Sequence, residues 1–307
     1  MAESSDNPSP SREDLPLSRA KPAPAGVLEQ ISSRVRRIVA PNPGPMTFTG
    51  TCTYVLGRGK VAVLDPGPDS PEHVAALLDL LKGETIEWVV ATHTHVDHTP
   101  AAKALCAATG AARIGCAPYE PTPGHAPATS HDPDWKPDLE LRDGDFFKGD
   151  GYTLKTVATP GHAANHLAFE LVEEQALFSG DHVMGWATTV VMPPDGHMGA
   201  YMASLDKLRG REDKLYWPGH GAAVTDPQRY VRGLAQHRRQ REAAILARLA
   251  DGDRQIDAIV ARLYQGLDPM LRGAAARSVM AHLQDLMERD LVKSDAPMSL
   301  KADYWLA

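Results

Sequence analysis

The sequence is poor in cysteine, in long apolar runs and in net positive charge. Its three cysteines, Cys52, Cys106 and Cys116, are odd in number, and none stands in a CxxC pair. That spacing argues against a disulfide-framed module or a sulfur-rich metal site and reads as reduced thiols in a cytosolic protein. Cys106 and Cys116 sit in apolar contexts and are expected to pack in the core. No apolar run approaches the roughly 20 residues that a membrane-spanning helix needs. Residues 1–26 are rich in proline, with early acids and no apolar segment of the secretory type, so a disordered tail is expected there. The predicted location is therefore the cytoplasm, with no membrane partner. Acids outnumber bases 39 to 32, for a net charge of -7 and a pI near 6.0. This argues against a broadly basic polyanion binder and leaves room only for a local basic face.

What is present is an ordinary globular composition, 43% hydrophobic and 23% charged over 307 residues, enough for one large domain with a small one or for two of middling size. From residue 27 to about 226, short β-rich runs such as "TCTYVLGRGKVAVLDPG", "IEWVV" and "YTLKTVATPGH" mix with isolated helices. One helix, "SPEHVAALLDLLKG", has Ser70 as its cap, Pro71 in its first turn and Gly83 as its stop. Another, "TPAAKALCAATG", has Thr99 placed to cap it and Pro100 at its first position. This mixture predicts two sheets covered by helices rather than a doubly wound parallel sheet. From Pro227 onward the chain reads as three helices, and "LVKSDAPMSLKADYWLA" reads as two short strands around a turn at residues 295–297. Three helices and a β-hairpin describe a winged-helix module, residues 227–307, with the boundary near Asp226.

The chemistry concentrates in "THTHVDHTP", residues 92–100, directly after "IEWVVA". His93 and His95 are two apart and share a face in an extended segment. Asp97 and His98 lie on the turn that follows, aimed differently. Three further stretches share the layout of an apolar strand ending in a small-residue turn: "TVATPGH" with His162, "ALFSGD" with Asp181 and "LYWPGH" with His220. Strand ends can converge on one edge of a sandwich, and five histidines with two aspartates are enough for two divalent ions. Imidazole and carboxylate together suit zinc, with manganese or iron as alternatives. Asp65 in "LDPG" ends a strand, where it either holds a ligand imidazole from behind or makes an Asx turn. The scattered His73, His125, His131, His197, His237 and His282 are read as ordinary core or surface residues. The basic cluster "QHRRQRE", residues 236–242, reads first as a solvated helix face and second as a phosphate-contacting edge.

HxHxDH followed by the separated His, Asp and His resembles the metallo-β-lactamase superfamily, over about residues 27–226. "NPGPMTFTGTCTYVLG", "GDHVMGWATTVV" and the C-terminal segment resemble its β-lactamase-like subgroup of endoribonucleases and polyketide thioesterases. The resemblance implies an α+β, four-layer αββα sandwich with a dinuclear site on one edge and a small C-terminal winged-helix domain. It assigns His93, His95 and His162 to one metal, Asp97, His98 and His220 to the other, and Asp181 to both. A water shared by two dications would lose a proton near neutral pH and supply a hydroxide nucleophile. Asp97 is the expected catalytic residue, because its second oxygen could hold that proton or pass one to the leaving group. His166 matches a subgroup histidine and His182 follows the bridging aspartate; each either faces substrate or braces its loop. Cys52 and Asn165 stand where relatives usually carry Asn and some carry Asp, both close to the expected cleft.

The expected function is hydrolysis, with single-stranded RNA phosphodiesters as the first substrate class. A small ester or thioester, with weak β-lactam hydrolysis as a side activity, is the alternative. Met184, Trp186 and Met192 would line the apolar cleft that such a substrate needs. A β-lactamase proper is disfavoured by the lack of an export signal. A third reading is a non-catalytic winged-helix nucleic-acid-binding protein built on a metal-held scaffold. A homodimer is left open.

Overall fold

The computed structural model describes residues 15–123 and 128–307. One sheet contains β1 (Glu29–Gln30), β2 (Val35–Val39), β3 (Cys52–Arg58), β4 (Lys60–Leu64), β5 (Thr85–Ala91), β6 (Ala112–Gly115) and β7 (Leu139–Glu140), in that order. Its strands pair antiparallel as far as β4 and parallel from there on. The change follows from connection length: a tight turn joins β3 to β4, whereas α1 (Pro71–Leu80) and α2 (Ala101–Thr109) cross over between the parallel strands. The second sheet contains β8 (Phe146–Gly149), β9 (Tyr152–Ala158), β10 (Leu167–Leu171), β11 (Ala176–Gly180) and β12 (Leu215–Pro218), in reverse order across the sheet. Only its β11–β12 pair is parallel, and α3 (Met198–Arg209) lies in that crossover.

Strand β4 is apolar along nearly its whole length because both faces of the first sheet are covered, and β2 is buried throughout, with Arg36 and Arg37 paired to Glu84 and Glu29. Tyr54 and Leu56 meet Phe169, Phe178 and Trp217 between the sheets, and Leu77 and Leu105 of the helices join the same core. On the far side of the second sheet, Ala168 and Leu177 pack with Tyr201 and Leu205 of α3. The layers are helix, sheet, sheet, helix, as expected from the sequence.

Beyond the sandwich come α4 (Pro227–Ala250), α5 (Ile256–Leu263), α6 (Arg272–Glu288) and the antiparallel pair β13 (Val292–Ser294) and β14 (Tyr304–Leu306). Asp226 caps α4 by accepting from the Arg229 N–H. The helix then serves both units: Val231 and Leu234 belong to the sandwich core, whereas Ile245 and Leu249 join Ile259, Val279 and Tyr304 in a separate core. The change of core thus falls inside α4, not at Asp226. The expected disordered tail is described only over residues 15–26. There Leu15 is buried against the outer core, and the Ser18 N–H donates to the Gly185 carbonyl at 2.8 Å.

Ser70 caps α1 as expected, with Pro71 behind it. Thr99 does not cap α2; Pro100 holds that position without a side-chain hydrogen bond. The turn is committed elsewhere, because Gly67 N–H donates to the His98 carbonyl and Ala101 N–H donates to the Gly67 carbonyl, at 2.9 and 3.1 Å. This reciprocal clasp ties the end of β4 to the turn after β5.

Candidate metal centre

Four strand ends meet at one edge. The turns after β5, β9, β11 and β12 carry His93 to His98, His162, Asp181 and His220 respectively. Glycines permit the close approach. A Cβ on Gly219 would lie 2.4 Å from Asp181 Oδ1 and 2.8 Å from His98 Cε1, and one on Gly180, at φ +49°, would strike His166 Nε2 at 2.5 Å.

The seven expected ligands fall into two groups. In the first, His95 Nδ1 lies 3.0 Å from both His93 Nε2 and His162 Nε2. In the second, His220 Nε2 lies 3.2 Å from Asp97 Oδ2, and His98 Nε2 lies 3.6 Å from the same oxygen. Asp181 reaches into both: its Oδ2 is 3.3 Å from His220 Nε2 and 3.7 Å from His162 Nε2, and its Oδ1 is 3.5 Å from His98 Nε2.

Backbone and side-chain acceptors behind these rings set their tautomers. His98 Nδ1 faces Asp65 Oδ2 at 3.0 Å, His162 Nδ1 faces the Val190 carbonyl at 2.6 Å, and His220 Nδ1 faces the Gly50 carbonyl at 3.3 Å. Thr92 Oγ1 donates to Asp65 Oδ2 at 2.8 Å, so its lone pair is left for His93 Nδ1–H at 3.0 Å. With the proton on Nδ1 in all four, each Nε2 presents a lone pair to the centre. Lone pairs facing one another and two carboxylates repel unless a cation lies among them. His98 Nε2, His220 Nε2 and Asp181 Oδ1 are indeed buried without a hydrogen-bond partner, so these residues fit divalent ions. The groups His93–His95–His162, Asp97–His98–His220 and His93–His98–Asp181 each bring their donor atoms within 4.8 Å of one another.

Electrostatics points the same way. Burial pushes His93 and His95 well below the ordinary imidazole range, and neighbouring imidazoles add to it; they stand neutral, as ligands must. Burial also opposes charge on His98 and His220. Asp97, Asp181 and Asp65 nevertheless raise His98, and Asp181 and Asp97 raise His220 to about 10. Burial likewise opposes the charge on Asp97 and Asp181, yet His98 and His220 hold both well below the usual carboxylate range. Two anions draw protons onto two imidazoles here, and a divalent ion would replace those protons.

Asp65 lies behind the His98 ring, with Oδ1 accepting from the Thr92 N–H and Oδ2 serving Thr92 Oγ1 and His98 Nδ1. His166 braces: Nδ1 faces Thr159 Oγ1 and Nε2 accepts from the Asp181 N–H at 3.1 Å. The His182 imidazole is fully buried against Tyr201, and burial lowers its pKa to about 3. Cys52 is buried in β3 with Sγ toward the Gly221 carbonyl, and Asn165 donates to Thr94 and the Ala117 carbonyl. Sequence reasoning missed Thr92, and it read His131 as ordinary. His131 in fact stands with His95 and Asp195 as a further group of donors, its Nδ1 on Thr94 Oγ1 and its ring stacked on Tyr119. His125 lies outside the described residues.

An edge-mounted pair of His/Asp clusters on an αββα sandwich could hold metal ions. The metallo-beta-lactamase superfamily model matches residues 46–220, and a beta-lactamase associated winged helix domain matches residues 256–300. The chain belongs to the metallo-beta-lactamase superfamily of hydrolases. It is 32% identical over 230 residues to an atrochrysone carboxyl ACP thioesterase, nsrC, of Aspergillus novofumigatus, a match covering 74% of this chain and 66% of that protein. It is 35% identical over 225 residues to the lactamase-like protein adaB of Aspergillus niger, covering 72% and 66% respectively. The chain thus spans just under two thirds of these fungal relatives. A beta-lactamase-like protein 2 homolog of Caenorhabditis elegans is 33% identical over 272 residues, covering 87% of this chain and 88% of that one. In fold, the chain is similar to a beta-lactamase domain protein from Burkholderia ambifaria, with TM-score 0.78, 20% identity and coverage of 96% and 98%. No helix among the described residues is long and apolar enough to cross a membrane.

Proposed function

We propose that the chain is a metal-dependent thioesterase acting on an acyl thioester with an apolar body. The observation that carries this reading is a cavity of about 740 Å³ beside the metal centre, walled by Leu17, Met184, Trp186, Leu263 and Leu267. Its wall is shared with the site. Val190 lines it and holds His162 through its carbonyl, and Thr189 lines it and donates to the Asp181 carbonyl at 2.8 Å. Met184 and Trp186 fall where an apolar cleft requires them, whereas Met192 is not among the lining residues. The name of the fungal thioesterase relative, nsrC, supports the same substrate class.

His93, His95 and His162 would hold one ion and Asp97, His98 and His220 the other, with Asp181 between; zinc is the ion this donor set favours. When bound, the ions supply Lewis-acid activation of water and of the scissile carbonyl. The chain's own residues do the rest. Asp65, Thr92, Val190 and Gly50 keep protons on Nδ1 of His98, His93, His162 and His220 and so keep those four Nε2 atoms available, while His95 offers Nδ1. Asp97, with its side chain 24% exposed against 9% for Asp181, is the carboxylate at the open face and the group placed to take or give a proton there. The RNA phosphodiester reading has the winged helix in its favour, but the basic cluster it would use turns inward at Arg238 and Arg241.

The test is turnover of zinc-loaded protein on an acyl-pantetheine thioester, a phosphodiester, a short single-stranded RNA and a chromogenic lactam, beside the Asp97→Ala variant. The expected result is thioester cleavage above the others, lost by about 10²–10⁴-fold in the variant. Faster cleavage of RNA than of thioester would transfer the assignment to a nuclease. Metal bound without turnover of any substrate would favour the scaffold reading.

A further inference from the structure

Helix α4 carries the basic cluster at residues 236–242, and its charges do not all face water. Arg239 is exposed, but Arg238 is 4% and Arg241 is 7% exposed. Neither makes an ion pair among the described residues, and Arg238 Nε and Arg241 Nε and Nη1 are buried without a hydrogen-bond partner. Arg238 Nη2 donates to the Thr189 carbonyl, and its guanidinium lies 5.3 Å from the Tyr201 ring centre. The Arg241 guanidinium lies 4.2 Å over Tyr264. Aromatic faces attract cations only weakly compared with the hydration that burial removes. His282, buried behind the two arginines, is held well below the ordinary imidazole range by its burial and by those cations. A buried positive region with free guanidinium donors is incomplete without an anion.

Both arginines are among the residues that line the 740 Å³ cavity next to the metal centre. Only one acid, Asp268, is among the lining residues, and its Oδ1 accepts from the Met270 N–H. Arg19, which is exposed, and His237 also line it, and Leu17, Met184, Trp186, Leu263 and Leu267 supply its apolar wall. A ligand matching this cavity has an apolar body and one oxyanion, which the guanidinium fork can grip through paired N–H donors.

We propose that Arg238 and Arg241 form an oxyanion pocket that selects acyl thioesters bearing a negatively charged group, so that these two arginines set substrate specificity. This rests on the thioesterase reading above. The oxyanion has two sources, a carboxylate at the far end of the acyl chain or a phosphate on the thiol portion, and both present the same chemistry to the pocket.

The test uses the full zinc-loaded chain and four substrates: a glutaryl thioester and its neutral methyl ester, each on pantetheine and on 4′-phosphopantetheine. The expected result is a preference in kcat/KM of about 10–100-fold for one charged form, consistent with charge-assisted hydrogen bonds. Preference for free glutaryl over its ester places the oxyanion on the acyl group; preference for phosphopantetheine places it on the thiol. In Arg241→Met that ratio collapses toward one, and Arg241→Lys retains part of it. Binding of glutarate and of inorganic phosphate, measured by calorimetry on wild type and Arg241→Met, keeps the pocket testable apart from catalysis. Arg241-dependent binding upholds the pocket even if no thioester is cleaved, an outcome that would sink only the thioesterase reading. Equal kcat/KM on all four substrates, or anion binding that does not change in Arg241→Met, overturns the proposal. Thermal melting supplies a further readout. Removing an uncompensated buried charge raises the melting temperature of ligand-free Arg241→Met, whereas an arginine with a merely structural role predicts a fall.

Discussion

Replacing Asp65 with Asn changes one oxygen to an amide and leaves the shape of the side chain intact, which makes it a sharp probe of the tautomer network. The carboxylate accepts three hydrogen bonds at 2.8–3.0 Å, from the Thr92 N–H, the Thr92 hydroxyl and His98 Nδ1. An amide offers only one acceptor oxygen. If its oxygen faces the Thr92 N–H, its NH₂ faces the hydroxyl and His98, so His98 must move its proton from Nδ1 to Nε2 and no longer presents a lone pair to the centre. If the amide is turned the other way, its NH₂ meets the Thr92 N–H, donor against donor. Either arrangement loses at least one charge-assisted hydrogen bond in a fully buried place, a destabilisation of about 1.5–3 kcal/mol. Loss of such an outer contact weakens metal affinity by about 10–100-fold. The effect should be larger for the group containing His98, which Asp65 holds directly, than for the group containing His93, which it reaches only through Thr92. Titration with a competing chelator should therefore show wild type releasing two zinc ions at similar chelator strength, and Asp65→Asn releasing one far earlier than the other. Identical release curves for the two proteins would refute the network.

Two further outcomes follow from local geometry. Gly219→Ala introduces a methyl group 2.4 Å from Asp181 Oδ1 and 2.8 Å from His98 Cε1, so metal content and turnover should fall together while circular dichroism stays that of the wild type. His73 is buried beside Gly67 and Thr53, and burial lowers its pKa from 6.5 to about 4. The unfolded chain therefore takes up the proton first as the pH falls, and stability is lost from about pH 6.5 downward until the folded form also protonates near pH 4. Between pH 7.5 and 5 this amounts to about 2 kcal/mol, and urea denaturation of His73→Gln should show a correspondingly smaller pH dependence.

The His and Asp side chains that converge at the sandwich edge were legible in the sequence because each lies within a few residues of the end of an apolar strand. The two sheets were legible for the same reason, as short β-rich runs broken by Gly and Pro. The partners of the ligands were not. Gly50 and Val190 act through backbone carbonyls, which carry no mark in the residue type, and Thr92 looks like any strand threonine until Asp65 is placed beside it. Thr99 has the residue type of a cap, but the clasp with Gly67 fixes its turn in another way. The cluster at 236–242 reads as a solvated face because a one-dimensional run of charge does not show which side of a 24-residue helix faces a second domain. Only the packing of α4 against both cores turns Arg238 and Arg241 inward while Arg239 stays exposed.

The most direct test of the metal centre is anomalous diffraction from crystals of the zinc-loaded protein at the zinc edge. Two peaks are predicted in each chain, one among His93, His95 and His162 and the other among Asp97, His98 and His220, with Asp181 in contact with both. A single peak away from these side chains, or no peak at full zinc loading, would contradict the account.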